Sequence, residues 1–188
     1  MKNSLGTKRI VFTALMAALV CVASAIRVVI PVAIGDTTAF HLGNIFCALS
    51  GILLGPWLGG AAAGLGSLIY DVIFYPAYIS ECWITFLTKG AYGLVSGLVI
   101  MAGNKEMSYI KSVLATLAGA LTYAALYLAK TYFYSGLLIK GLTSDAALLS
   151  VVGKIPATTF NAVVALIFAP ILAVAIGKAL KRNHLNLK

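Results

Sequence analysis

The stretch HLGNIFCALSGILLGPWLGGAAAGLGSLIYD, from His41 to Asp71, contains no acidic or basic side chain between its two end residues. Gly55-Pro56 interrupts it, because proline has no N–H to continue a helix and restricts the residue before it. Two apolar helices are therefore expected, a short one over residues 41–54 and a longer one over 58–75. Gly51-x3-Gly55, Gly55-x3-Gly59 and Gly60-x3-Gly64 place small residues on one helical face, where helix backbones approach closely in lipid. Gly93-x3-Gly97 repeats the pattern further on. Ordinary packing between membrane helices accounts for these glycines.

Outward from this stretch, the whole chain reads the same way. Of 188 residues, 61% are hydrophobic and only 10% are charged, and the mean hydropathy is +1.00. A soluble domain carries about 25% charged residues, so this composition cannot make a water-facing surface. Soluble enzymes, disulfide-rich secreted domains and disordered chains are excluded. The chain is an integral membrane protein, expected as a single membrane domain over residues 1–188.

The apolar runs predict an all-α, six-transmembrane-helix bundle with helices at about residues 9–30, 41–54, 58–75, 81–102, 107–134 and 156–180. Pro31–Phe40 carries turn residues and is expected as a loop. Ala23-Ser24-Ala25 resembles a signal-peptidase site, but the apolar run continues to Ile30, which favours a retained first helix. Pro156 suits the first turn of a helix, so the sixth helix is expected to begin there; a start ten residues earlier would give an overlong, proline-kinked span.

The net charge of +9 reads as topology, not as nucleic-acid binding. With six helices both termini share one side. That side collects Lys2, Lys8, Arg9, Lys105, Lys111, Lys178, Lys181, Arg182 and Lys188. The other holds Lys140 and, at helix edges, Arg27 and Lys154. Basic residues concentrate on the cytoplasmic side of plasma-membrane proteins, so an N-in/C-in orientation is expected. Cys21, Cys47 and Cys82 lack metal-ligand or CxxC spacing and read as packing residues; no metal site is expected.

Ionisable residues within membrane helices are costly and point to function. Glu81, Thr85, Lys89 and Tyr92 recur at helical spacing and share one face. Tyr123, Tyr127, Lys130 and Tyr134 do the same on the next helix, and Lys154, Thr158 and Asn161 open the last. Asp71 and Tyr78 join from the third helix and the turn after it. Lys89 lies about 12 Å below the outer start of its helix and Lys130 about 6 Å below the outer end of its own. The economical reading is a wet polar pocket in the outer half, with aromatic walls and ionic anchors.

Each residue also has a plainer reading. Lys130 and Lys154 are near enough to the interface to snorkel, and Tyr75, Tyr78 and Tyr134 suit an aromatic belt. A salt bridge with Asp71 or Glu81 would account for Lys89, and His41 with Asn44 reads as a hydrogen-bonded helix start. It is the constellation that speaks for function. No P-loop, HExxH or GxSxG motif is present, so the chain cannot bind ATP through a P-loop and names no catalytic residue. On the first helix Ala14-x3-Ala18 fits either internal packing or an intermolecular face. A stand-alone proton-coupled carrier or channel remains the alternative class.

The His41–Asp71 stretch, followed by ITFLTKGAYGLVSGL (Ile84–Leu98) and KIPATTFNAVVA (Lys154–Ala165), resembles the substrate-binding S components of energy-coupling factor (ECF) transporters. The resemblance covers essentially the whole chain. It implies a high-affinity subunit that takes a vitamin or similar micronutrient from outside, then joins a transmembrane scaffold subunit driven by two cytoplasmic ATPases and topples to release cargo. No cofactor is expected on this chain, since ATP is used by the partners. Ala14 and Ala18 match the family's scaffold-docking AxxxA face, and Pro31–Phe40 would be the lid. The substrate-binding candidates are Asn44, Asp71, Tyr78, Glu81, Thr85, Lys89, Tyr127, Lys130, Lys154, Thr158 and Asn161, with Lys89 and Asn161 foremost. Three lysines favour an anionic ligand such as pantothenate, while stacked tyrosines suit a pyridoxine-like or pyrimidine ring; the sequence does not choose.

Overall fold

Residues Val28, Val29 and Ile30 are β-branched, and β-branched side chains fit a pleated ribbon better than a helix. In the computed structural model, which describes residues 2–33, 36–102 and 108–183, helix α1 (Lys2–Ala25) accordingly stops before them. Strand β1 (Arg27–Val32) then pairs antiparallel with β2 (Asp36–His41), in a register that sets Arg27 against His41 and Pro31 against Thr37. The first helix therefore ends earlier than residue 30, and the segment 31–40 belongs to a β-hairpin instead of an irregular loop. Pro31 is tolerated because a two-stranded ribbon gives each strand one unpaired edge.

Five further helices follow: α2 (Gly43–Leu54), α3 (Pro56–Phe74), α4 (Cys82–Met101), α5 (Tyr109–Ala129) and α6 (Ser144–Arg182). A 3-10 turn (Pro76–Glu81) leads into α4, and α5 widens into a π-helical segment (Lys130–Ile139). Helix α6 starts at Ser144, not at Pro156. Thr143 caps it by accepting the Ala146 N–H, Asp145 sits in its first turn, and Pro156 and Pro170 both lie inside it. An N-cap and an acidic first turn fix a helix start, and they prevail here over the interior prolines. Among the described residues five helices are long and apolar enough to cross a membrane, α1, α3, α4, α5 and α6; α2 has 12 residues. Lys105, Lys188, the 103–107 turn and the Lys2 side chain, which entered the charge argument, lie outside what is described.

Small residues set the packing. A Cβ at Gly51 would stand 2.1 Å from the Gly93 carbonyl oxygen, and one at Gly59 2.4 Å from the Gly51 Cα. Helices α2, α3 and α4 thus meet backbone to backbone through the glycine faces read from the sequence. Ser50 fastens the contact by donating to the Gly59 carbonyl at 2.9 Å. Large apolar side chains point outward instead: Trp57, Ile110, Leu121 and Phe133 are all exposed. An extended apolar exterior around a small-residue interior is the surface expected against lipid.

One apolar cluster, with Met16, Leu49, Leu53 and Ile100, fills the end of the bundle remote from the hairpin. A second contains Val20, Cys47, Ala63, Tyr92, Tyr123 and Ala165. Tyr123, part of this second cluster, also lines the cavity described next.

Candidate functional site

The cavity lies beneath the hairpin and measures about 110 Å³. Every helix except α2 contributes to its wall. The hairpin supplies Arg27, Thr38 and His41, α3 supplies Tyr70 and Asp71, and α4 supplies Thr85 and Lys89. Helix α5 adds Tyr123 and Tyr127, α6 adds Thr158 and Asn161, and the 3-10 turn adds Tyr78.

Lys89 is 5% exposed, in the middle of a helix bundle. A buried ammonium must be paired or hydrogen-bonded. It donates to Asn44 Oδ1 from α2 and stands 4.0 Å above the Tyr123 ring. Tyr123 stacks in turn on Tyr127 (5.6 Å between centroids, 18° between planes) and on Tyr92 (6.0 Å, 24°). Asn44 is thus the support of Lys89 and not part of the cavity wall. The salt bridge expected of Lys89 with Asp71 or Glu81 is not among the ion pairs of the described residues.

Asp71 is 7% exposed, and its Oδ2 has no hydrogen-bond partner. Arg27 reaches across from β1. Its Nη1 donates to the Tyr70 hydroxyl at 2.8 Å and its guanidinium lies 4.3 Å over the Tyr75 ring, while Nε is buried without a partner. His41 Nδ1 accepts the Gly43 N–H at 3.2 Å, which leaves Nε2 to carry the ring proton. Burial, then the positive charges of Lys89 and Arg27, hold the His41 imidazole well below its ordinary pKa, so it is neutral at neutral pH.

Besides the Arg27–Tyr70 bond from β1 and the Phe40–Phe160 ring contact, two sets of polar bonds hold strand β2 down. Asn161 accepts the His41 N–H and donates to the Ala39 carbonyl, both at 2.9 Å. Asp36, at the start of β2, bonds to Lys154 at 2.8 Å and to Lys140 at 3.4 Å. Burial pushes the Asp36 carboxyl up, but the Lys154 bond and charge, the Thr37 N–H and Lys140 outweigh it and leave the carboxyl below its usual range. A third ionic contact lies at the rim: Lys130 pairs with Glu81, which also accepts from Ser135 at 3.2 Å.

The expected residues therefore divide into groups. Asp71, Tyr78, Thr85, Lys89, Tyr127, Thr158 and Asn161 share one wall. Glu81, Lys130 and Lys154 form ion pairs around it, and Asn44 sits behind it. Arg27, Ser24 and Thr38 join the cavity unforeseen, because the sequence reading took Arg27 as a topology signal and Ser24 as part of a cleavage pattern. A lone arginine at the end of an apolar run was the available signal. Ala14 and Ala18 are exposed on α1, whereas Met16, Ala17 and Val20 face inward.

Comparison with known proteins gives three findings. The family model described as ECF-type riboflavin transporter, S component, matches residues 4–180. A Pyrococcus woesei protein described as "Uncharacterized protein in gap 3'region" is 30% identical over 111 residues, which is 59% of this chain and 69% of that protein. A crystal structure of the S-component for biotin from an ECF-type ABC transporter superposes with a TM-score of 0.61 at 16% identity, covering 92% of this chain and 94% of that one. The last is a likeness of fold.

Proposed function

This chain belongs to the family of ECF-type riboflavin transporter S components, and from that premise we propose that it captures a vitamin-like micronutrient at the outer face and passes it to a separate scaffold-and-ATPase module. Membership makes it a multi-pass plasma-membrane subunit of a transporter, not an enzyme. In the proposed orientation both termini are cytoplasmic and the hairpin end faces outward, as the excess of basic residues near the termini favours.

The observation that carries the reading is the cavity itself. Two cations, a carboxylate and a tyrosine stack from four different elements converge on one polar space under a ribbon tied to α6 by Asn161 and by the Asp36–Lys154 pair. Buried ionisable groups in lipid are expensive, and bringing them together where no apolar packing needs them fits selective binding. The hairpin acts as the lid, latched by Asn161 and Asp36. Asp71, Thr85, Lys89, Tyr127 and Thr158 line the binding space, while Glu81, Lys130 and Lys154 hold the rim. The family description makes riboflavin the first ligand to offer.

Release inward needs a partner, since this chain has no P-loop to draw on ATP. The small exposed face of Ala14 and Ala18, flanked by Val11, Leu15 and Val22, suits close helix–helix docking on the scaffold. Replacing Ala14 or Ala18 by Trp tests this. The variant is expected to fold and bind ligand but to lose copurification with scaffold and ATPases. Undiminished copurification contradicts the docking assignment.

A further inference from the structure

Strand β1 (RVVIPV) has one polar side chain, Arg27, and that one is turned onto Tyr70 and Tyr75. The rest of its outward surface is apolar: Val28 is 63% exposed, Ile26 just before it 59%, and Val29 and Pro31 are exposed as well. An antiparallel ribbon facing water alternates apolar with polar side chains, and this strand does not. We propose that the hairpin is anchored in the membrane, with Ile26, Val28 and Phe40 set among the lipid acyl chains of the leaflet at its end of the bundle.

The patch continues a surface already turned to lipid. Val28 is paired in register with Phe40, and residues directly opposite in an antiparallel pair share a face. The Phe40 ring meets that of Phe160 edge-on, with 4.7 Å between centroids and 75° between planes. Phe160 is exposed on α6, as are Val163 and Ile167 one and two turns further along the same side. The apolar exterior therefore runs from Val28 across Phe40 onto the lipid-facing side of α6.

Depth agrees. Phe12 of α1 and Ile176 and Leu180 of α6 pack into one cluster, so Arg9 and Lys178 beside them mark one level at the basic end. At 1.5 Å per residue, Ala25 stands about 24 Å above Arg9 and Phe160 about 27 Å above Lys178. Both heights fall just inside a hydrocarbon layer of about 30 Å. Lys154, bonded to Asp36 at the far end of the hairpin, stands about 36 Å up by the same rise, among headgroups and water. The base of the ribbon thus lies at acyl-chain level and its tip outside. Hydrocarbon offers no partner to a bare strand edge, so the β1 backbone rests at the headgroup boundary and only the side chains dip below. Lifting such a hairpin into water would expose three apolar side chains, so it moves along the membrane surface instead.

The test uses the full chain, one copy per lipid nanodisc, with Cys82→Ser so that the buried Cys21 and Cys47 are the remaining native thiols. A nitroxide is attached at Val28→Cys, and electron paramagnetic resonance reads its collisions with oxygen, which concentrates among acyl chains, and with a water-soluble nickel chelate. Val163→Cys and Asp145→Cys, both at exposed positions of α6, give the lipid and water references. The oxygen-to-nickel collision ratio at Val28 is expected to lie near that of Val163 and at least tenfold above that of Asp145. A ratio matching Asp145 places the face in water and overturns the proposal. A label shielded from both reagents shows the face covered by protein and overturns it as well. Should the label at Val28 disturb the hairpin, Ile26→Cys supplies the same reading. No ligand enters the measurement, so its failure leaves the capture reading standing.

Discussion

The side-chain amide of Asn161 bonds to the backbone of the hairpin as a third strand would, accepting the His41 N–H and donating to the Ala39 carbonyl two residues earlier. One side chain on α6 thereby satisfies a donor and an acceptor that the ribbon leaves unpaired on its edge. Each buried polar group left unpaired costs about 1–3 kcal/mol, so the bond pair is a strong clasp between hairpin and bundle. Asn161 also lines the cavity, so under the proposed function lid closure and ligand contact share this side chain.

From this clasp follows a kinetic prediction. Asn161→Leu keeps the branched outline of the side chain and removes both bonds, so the hairpin should open more often. Ligand dissociation, followed by stopped-flow, should quicken at least tenfold with a smaller change in association rate. An unchanged dissociation rate would show that the clasp plays no part in retention.

The Asp36 latch predicts a pH dependence with a definite sign. Its carboxyl is held below the usual range in the folded protein, against an unfolded value of about 3.9. Such a group contributes its stabilisation above the unfolded value and loses it as pH falls through the folded one. Hydrogen-exchange protection of the β1 and β2 amides should therefore stay level from pH 8 to about pH 5 and drop only below about pH 4. Asp36→Asn should lower protection at neutral pH at least tenfold and flatten the acid drop.

Lys89 and Asn44 predict non-additive stabilities. Leaving a buried hydrogen-bonding group without its partner costs about 1–3 kcal/mol and more for a charged one, whereas replacing both partners by apolar groups can be near neutral. Asn44→Leu should destabilise strongly, and Lys89→Met combined with Asn44→Leu should recover most of the melting temperature. The double variant should nonetheless fail to bind ligand. Additive losses in the thermal melts would contradict the coupling.

How much of this was legible in the sequence differs by element. The glycine faces were, because a Gly-x3-Gly spacing translates directly into the Gly51–Gly93 and Gly59–Gly51 approaches. The helical spacing of Thr85 with Lys89, and of Thr158 with Asn161, likewise placed those pairs on one wall. The hairpin was not, since RVVIPV is as apolar as a helix end and a hydropathy window merges the two; its signal was the run of β-branched residues ahead of Pro31. The start of α6 was misjudged because a proline suited to a first turn outweighed the Thr143–Ser144–Asp145 cap. Partner choice was beyond reach: nothing in spacing tells Lys89 to take Asn44 while Lys130 takes Glu81.

The glycine contact makes a further prediction. Gly51→Ala would drive a Cβ into the Gly93 carbonyl at 2.1 Å, a backbone atom that cannot swing aside. Overpacking of this kind costs about 1–3 kcal/mol, and the detergent-solubilised variant should melt well below the parent. Gly6→Ala, where a Cβ meets nothing within 4 Å, should melt at or above it. Equal melting temperatures for the two would contradict the α2–α4 contact.

The capture role is tested most directly by purifying the chain in lipid, denaturing it, and identifying the released small molecules by mass spectrometry. The account predicts one micronutrient-like molecule in near-equimolar amount, lost from the folded Lys89→Met/Asn44→Leu double variant. A preparation that releases nothing and shows no saturable binding across a vitamin panel would contradict it.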